Sequence, residues 1–133
     1  MAGLSECRVE VVIAVSDLER ARRFYEDGLG LIPGPVQDEE DQGVRYPCAD
    51  GTQVFIYLSA QNAGKSSATL AGWFVHNLDD TMAELRSRGV TFEHYDPPGI
   101  STDARGVFDD GRLRVAWVKD PDGNTIAITE LLK

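Results

Sequence analysis

Apolar and polar positions follow the same cycle twice along this chain. Arg8–Val15 (RVEVVIAV) is β-branched and reads as a strand. Ser16 opens a helix as the first residue of a Ser-x-x-Glu capping box completed by Glu19. Leu18, Ala21, Phe24 and Tyr25 recur at helical spacing as its buried stripe, and Gly28 is placed to end it as a left-handed cap. Further strands are expected near Leu31–Val36, at Gly43–Cys48 and at Gln53–Leu58, the last two joined by the turn Ala49-Asp50-Gly51-Thr52. Ala60–Ser67 is small and polar and reads as a linker. The cycle then restarts. Thr69–Val75 is a strand, and Asn77 caps a helix whose apolar face is Leu78, Met82 and Leu85. Gly89 closes that helix, and Val90-Thr91-Phe92 begins another strand. After a long loop, Arg112–Arg114 leads into a hairpin whose turn is Asp120-Pro121-Asp122-Gly123-Asn124. Gly123 supplies the positive φ that a three-residue hairpin with a glycine bulge needs.

The halves correspond in detail. Val15-Ser16-Asp17-Leu18 matches Val75-His76-Asn77-Leu78, Gly28-Leu29 matches Gly89-Val90, and Ala49-Asp50-Gly51-Thr52 matches Pro121-Asp122-Gly123-Asn124. Such self-similarity marks repeated supersecondary units. The chain reads as one α+β domain of two tandem β-α-β-β-β modules, about 7–60 and 69–131, joined by a linker at 61–68.

Composition narrows the function classes. At 133 residues the chain is long enough to bury a core without staples. A formal charge of −9 argues against a nucleic-acid partner, whose footprint would be basic. No apolar run is long enough to span a bilayer and no signal peptide is visible, so a cytoplasmic protein without membrane contact is expected. Cys7 and Cys48 are read as reduced, buried thiols. The run Asp38-Glu39-Glu40-Asp41 lacks the spacing and glycine of an ordered calcium loop and reads as a solvated segment.

Three segments carry a family resemblance: Val15-Ser16-Asp17-Leu18-Glu19-Arg20-Ala21 with Phe24-Tyr25, then Gly28-Leu29-Gly30-Leu31, and in the second half Lys119-Asp120-Pro121-Asp122-Gly123-Asn124. Together they resemble the vicinal oxygen chelate superfamily, which includes glyoxalase I, extradiol dioxygenases, fosfomycin-resistance enzymes and bleomycin-binding proteins. The resemblance runs from about Arg8 to Glu130. It implies paired β-α-β-β-β modules forming a curved mixed sheet around a cavity, and a homodimer. It also implies a divalent metal in enzymes of the group, held by His or Gln, Glu, His and Glu. Carried onto this chain, those positions fall on Glu10, Tyr57, Leu70 and Ala127. Only Glu10 is a plausible ligand. His76 and His94 bring no partner cluster. No family-type metal and no other cofactor is expected.

What remains is the pocket. Side chains alternate along a strand, so Glu10, Val12 and Ala14 share one face, Leu70, Gly72 and Phe74 another, and Thr125, Ala127 and Thr129 a third. The implied lining is apolar and aromatic: Val12, Tyr57, Leu70, Phe74, Trp117, Thr125 and Ala127, with Trp73, Tyr46 and Tyr95 as further aromatic surface. Such a pocket suits a small hydrophobic or aromatic molecule. Glu10 is the catalytic candidate, for acid–base chemistry. The loop Asp96–Gly111 is long enough for a lid, with Asp103 and Arg105 its notable charges. Three readings stand: a small-molecule binder, a metal-free or atypical-metal enzyme of lyase, isomerase or dioxygenase type using Glu10, and a non-catalytic interaction domain.

Overall fold

Strand β1 (Glu10–Val15) turns Ile13 and Val15 into the core, where both are fully buried, and leaves Val12 on the opposite face. The computed structural model describes residues 3–35, 37, 42–96 and 100–132; Gly43–Pro47 and Gln53–Leu58 alternate likewise, whereas Val115–Val118 and Thr125–Ile128 are buried on both faces. After β1 come helix α1 (Leu18–Arg22), continued by a wider π turn at Arg23–Gly28, then β2 (Gly43–Pro47) and β3 (Gln53–Leu58). The second half holds β4 (Thr69–Phe74), helix α2 (Leu78–Ser87), β5 (Val107–Asp109), β6 (Leu113–Lys119) and β7 (Thr125–Leu131). The first sheet has the order β1-β3-β2 and the second β4-β7-β6-β5. In each, the first and last strands of the module pair in parallel and the rest antiparallel. One hydrophobic core joins the helix-facing sides of both sheets, from Ile13, Tyr25 and Ile56 to Leu78, Met82, Val118 and Ile126. Among the described residues no helix is long and apolar enough to cross a membrane.

The repeat is visible in the backbone. The residue before α1, Asp17, has φ −144° and ψ 106°, and the residue before α2, Asn77, has φ −141° and ψ 105°. Each caps its helix by accepting the N–H three residues on, Arg20 and Asp80 respectively, at 3.0 Å. The cap of α1 is therefore Asp17 and not Ser16. Ser16 is held elsewhere: its N–H donates to Asp122 Oδ2 at 3.0 Å and its hydroxyl donates to Asp122 Oδ1.

Four other expectations change. Gly28 is buried in the wide turn without a positive φ, and a Cβ there would meet Val90 Cγ2 at 3.2 Å. The left-handed position is Gly30, at φ 81°. Leu31–Pro35 forms no strand, because Pro33 and Pro35 have no N–H to donate to a ladder. Among the described residues its one ladder-like bond runs from Gly34 N to Arg45 O, at 3.0 Å. The Gln37 side chain supplies the rest, donating to Arg45 O at 2.9 Å and accepting from Arg45 N at 2.9 Å. Val90–Phe92 contributes only a single bridge, Phe92 to Val118. Cys7 is exposed, beyond the core after a short 3₁₀ turn at Leu4–Glu6, while Cys48 is half-buried; both are free thiols. Val36, the acidic run Asp38–Asp41 and Pro97-Pro98-Gly99 lie outside the described residues.

The hairpin after β6 ties the modules together. Asp120 N donates to Asn124 O at 3.0 Å, Gly123 N donates to Asp120 O at 2.9 Å, and Gly123 has φ 91°. Asp120 itself is buried. It accepts from the Tyr25 hydroxyl of the first module at 2.8 Å and from Asn124 Nδ2 at 2.8 Å. Asn124 also donates to Ala14 O at 2.9 Å and accepts from Gly64 N at 3.2 Å, so the segment between the modules is anchored to this turn. Gly64 has φ 63°, and a Cβ on it would stand 1.9 Å from Asp122 O. Gly64→Ala is expected to cost about 2 kcal/mol or more, read as a fall in thermal midpoint, because both the φ and the contact forbid the methyl.

Burial, and then the negative charge of Asp120, raise the pKa of Tyr25 far above that of an ordinary phenol. An unfolded tyrosine ionises near pH 10. The stability linked to this group is therefore complete below about pH 10 and is lost as the pH rises above it. Tyr46, whose hydroxyl donates to Glu26 at 2.8 Å, is shifted the same way by burial. Tyr25→Phe is expected to flatten the alkaline limb of a stability-versus-pH profile, with part of the slope remaining from Tyr46.

Candidate functional site

The faces turned away from the helices carry the unusual chemistry. On the second sheet the register places Trp117 opposite Ala127 and Ala127 opposite Gly72. The next row on the same face is Lys119, Thr125 and Thr69. The segment after α2 folds over this face: Glu93 N donates to Trp117 O at 2.8 Å, and the Tyr95 ring meets Trp117 edge-on at 5.5 Å between centroids. Phe108 flanks Trp117 at 6.5 Å. Tyr95 is held in place by Thr102, whose Oγ1 accepts from Tyr95 N at 2.8 Å.

These elements enclose a cleft of about 510 Å³. Its walls are Ser67–Thr69 on one side and Tyr95, Asp96 and Ile100 on the other, and Trp117, Lys119 and Thr125 come from the sheet. Burial and the nearby Glu93 hold the Tyr95 hydroxyl above the usual phenol range, so it is a protonated donor. Thr125 is 2% exposed, and its hydroxyl has no hydrogen-bond partner among the described residues. A buried hydroxyl left unpaired costs about 1–3 kcal/mol.

The first sheet presents a different surface. Glu10 pairs in register with Gln53, Val12 with Phe55, and Ala14 with Tyr57. Glu10 accepts from Gln53 Nε2 at 2.5 Å and from Arg45 Nε at 3.3 Å. Arg45 lies over the Phe55 ring at 4.0 Å, and Phe55 stacks with Tyr57 at 5.9 Å. Glu10 opens on a small cleft of about 260 Å³ shared with Arg8 and Gln53.

The residues singled out in the sequence are thus divided. Trp117 and Thr125 meet in the large cleft. Ala127 packs beneath Trp117 and does not line it. Leu70 sits at the irregularity between Thr69 and Ala71, half-exposed and outside the cleft. Phe74, 73% exposed, borders a separate crevice of about 460 Å³ where β4 approaches the start of β1. Val12, 53% exposed, and Tyr57 belong to the first sheet. Of the extra aromatics, Tyr95 joins the cleft, Trp73 is half-buried and Tyr46 is fully buried. Lys119 and Thr69 were missed, although alternation from Trp117 and pairing across Thr125 place both on the cleft face. His94 is exposed, with Nε2 3.1 Å from Ala104 O, and His76 is exposed. Asp103 accepts from Arg105 N and Val107 N, and Arg105 pairs with Asp79 at 2.9 Å, so both charges brace the loop.

The residues at the positions implied for a divalent metal do not fit one. Glu10 is committed to Arg45 and Gln53. Tyr57 lies four residues beyond Gln53 on the same strand, roughly 13 Å away at strand rise. Leu70 and Ala127 carry no donor atom. Among the described residues no three His, Cys, Asp or Glu side chains gather in a metal-holding group.

Comparison with known proteins gives a consistent result. The model of the glyoxalase/bleomycin resistance protein/dioxygenase superfamily matches residues 8–128. No curated protein matches the chain in sequence. Among solved structures, a glyoxalase family protein from Bacillus anthracis superposes with a TM-score of 0.72 at 22% identity, covering 99% of this chain and 100% of the other. A glyoxalase/bleomycin resistance protein from Catenulispora acidiphila gives 0.68 at 25% identity, over 94% and 98%. An antibiotic binding protein from a Streptomyces species gives 0.67 at 20% identity, over 92% and 93%.

Proposed function

The chain belongs to the glyoxalase/bleomycin resistance protein/dioxygenase superfamily, and from that premise we propose that it binds a small hydrophobic or aromatic molecule in the cleft of its second sheet, without a divalent metal. The observation that carries this reading is the pairing of an aromatic wall, Trp117 edge-on to Tyr95, with the buried, unpartnered hydroxyl of Thr125. Ligand sites combine an apolar lining with a few placed polar groups, in volumes of about 300–1,000 Å³. The cleft has that character. The Streptomyces neighbour of the same fold is an antibiotic binding protein, which supports this reading. Against metal chemistry stands the engagement of Glu10 by Arg45 and Gln53, with no donor at Leu70 or Ala127.

We further propose that the working form is a homodimer. Among the described residues β1 ladders with β3 alone and β4 with β7 alone, so each leaves one edge without a strand partner. Val12, Leu70 and Phe74 stand exposed on or beside these strands. Open edges and large exposed apolar groups favour a second chain.

A fluorescence screen against apolar and aromatic compounds tests the binding reading. Quenching or a blue shift, lost in Trp117→Phe, is expected, and silence across the whole panel would sink it. Metal analysis of purified protein tests the other half. One zinc, nickel or iron per chain, abolished by Glu10→Ala, would overturn the metal-free reading. Sedimentation at micromolar concentration is expected to give twice the 14.6 kDa chain mass.

A further inference from the structure

We infer that the preferred ligand of this cleft is a planar aromatic molecule bearing one anionic oxygen group, such as a carboxylate, with its ring against Trp117 and its oxygens toward Lys119 and Thr125. The inference rests on the reading of the cleft as a ligand site and adds the chemistry of what it selects.

The register provides the geometry. Lys119, Thr125 and Thr69 form one row across three adjacent strands, and Trp117 lies in the next row on the same face. Successive same-face positions on a strand are about 7 Å apart, close to the reach of a bicyclic ring's carboxylate oxygens from the ring centre plus one hydrogen bond of about 2.8 Å. A ring on the tryptophan therefore delivers its substituent to the polar row.

That row is made of donors. Thr69 and Thr125 are hydroxyls and Lys119 is an ammonium. The Thr125 hydroxyl is the informative one, since it is buried and has no partner among the described residues. An acceptor from a ligand would satisfy it. Lys119 makes no ion pair among the described residues, in a chain that carries 22 acidic side chains. A charge-assisted bond from an ammonium to a carboxylate is about twice as strong as a neutral one. The acidic lining residue, Asp96, follows Tyr95 on the loop wall, on the far side of β6 from Thr125. It disfavours a second anionic group at that end, so the expected ligand carries a single oxyanion.

The test compares three probes of one ring by calorimetry: 2-naphthoate, its methyl ester, and 2-naphthylmethylamine. Naphthoate is expected to bind roughly 10-fold more tightly than the ester, and the amine most weakly. Lys119→Gln is expected to bring naphthoate and ester within about twofold of each other. Thr125→Val, which keeps the shape and removes the hydroxyl, is expected to weaken naphthoate about fivefold or more. The preference for the anion should also shrink as salt is raised. Equal or tighter binding of the ester or the amine would overturn the ligand class while leaving the cleft a binding site. A preference that survives Lys119→Gln would likewise overturn it. Failure of all three probes to bind would overturn the ligand-site reading itself, and this inference with it.

Discussion

Asp120→Ala is expected to remove about 3–5 kcal/mol of stability, measured by urea unfolding, and to leave much of the chain unfolded at 37 °C. The carboxylate is 4% exposed and four donors converge on it. Oδ1 accepts from Asp122 N at 3.0 Å and Asn124 N at 2.9 Å, and Oδ2 accepts from the Tyr25 hydroxyl and Asn124 Nδ2, both at 2.8 Å. Truncation leaves Asp122 N, Asn124 N and the Tyr25 hydroxyl without an acceptor, leaves Asn124 Nδ2 with Ala14 O alone, and removes the Tyr25 tie between the hairpin and the first module. Asp120→Asn is not a rescue. An amide offers one acceptor oxygen, so its NH₂ must face either the two backbone N–H groups or the Tyr25 and Asn124 donors. A loss of about 2–3 kcal/mol is expected for that variant. If Asp120→Ala unfolded at the wild-type denaturant midpoint, the turn would not be the joint between the modules.

Trp117→Ala should cost a similar amount, about 3–5 kcal/mol, and should also abolish binding of the naphthoate probe. Trp117 is buried against Ala127, with Tyr95 edge-on and Phe108 beside it. Its removal opens a void under the loop wall as well as deleting the surface on which a ring would lie. Because a destabilised protein can lose binding for trivial reasons, Trp117→Phe separates the two effects. It retains an aromatic in the same place and is expected to keep the fold with a loss of only about 1–2 kcal/mol. Its binding of naphthoate should still fall several-fold, since the smaller ring leaves part of the wall missing. Unchanged affinity in that variant would place the ligand elsewhere.

Much of the architecture could be read from short-range signals. The cap at Asn77, the glycines at 89 and 123 and the alternation along β1 and β7 are local features, and local rules reach them. The misplaced cap at Ser16 shows where those rules stop. A Ser-x-x-Glu box is a sound local prediction, but Asp122, far along the chain, takes both the N–H and the hydroxyl of Ser16. Likewise the apolar residues around Leu31 suggested a strand, and the absent N–H groups of Pro33 and Pro35 outweighed them. The site was legible only in part for the same reason. Alternation put Thr125 and Ala127 on one face, but only the packing shows that Trp117 covers Ala127 while Thr125 meets the cleft. Val12, Tyr57 and Phe74 share the chemistry of the cleft lining yet belong to other surfaces. The lining of a pocket depends on how two sheets and a loop are disposed, and no short window of sequence carries that.

The Gln37 side chain that bonds both main-chain groups of Arg45 has an effect on how molecules of this protein meet. Strand β2 is the outer strand of its sheet, and Arg45 faces outward there. Its N–H and C=O are already taken by Gln37 and Gly34. Pro47, the next outward position, has no N–H to offer. A foreign strand arriving at that rim finds no continuous ladder to extend, which is how natural sheets resist fibril-like stacking. The opposite rim of the same sheet, β1, is covered at one point, where Ala14 O accepts from Asn124 Nδ2 at 2.9 Å. Strand addition is thereby turned away from the β2 rim of the first sheet.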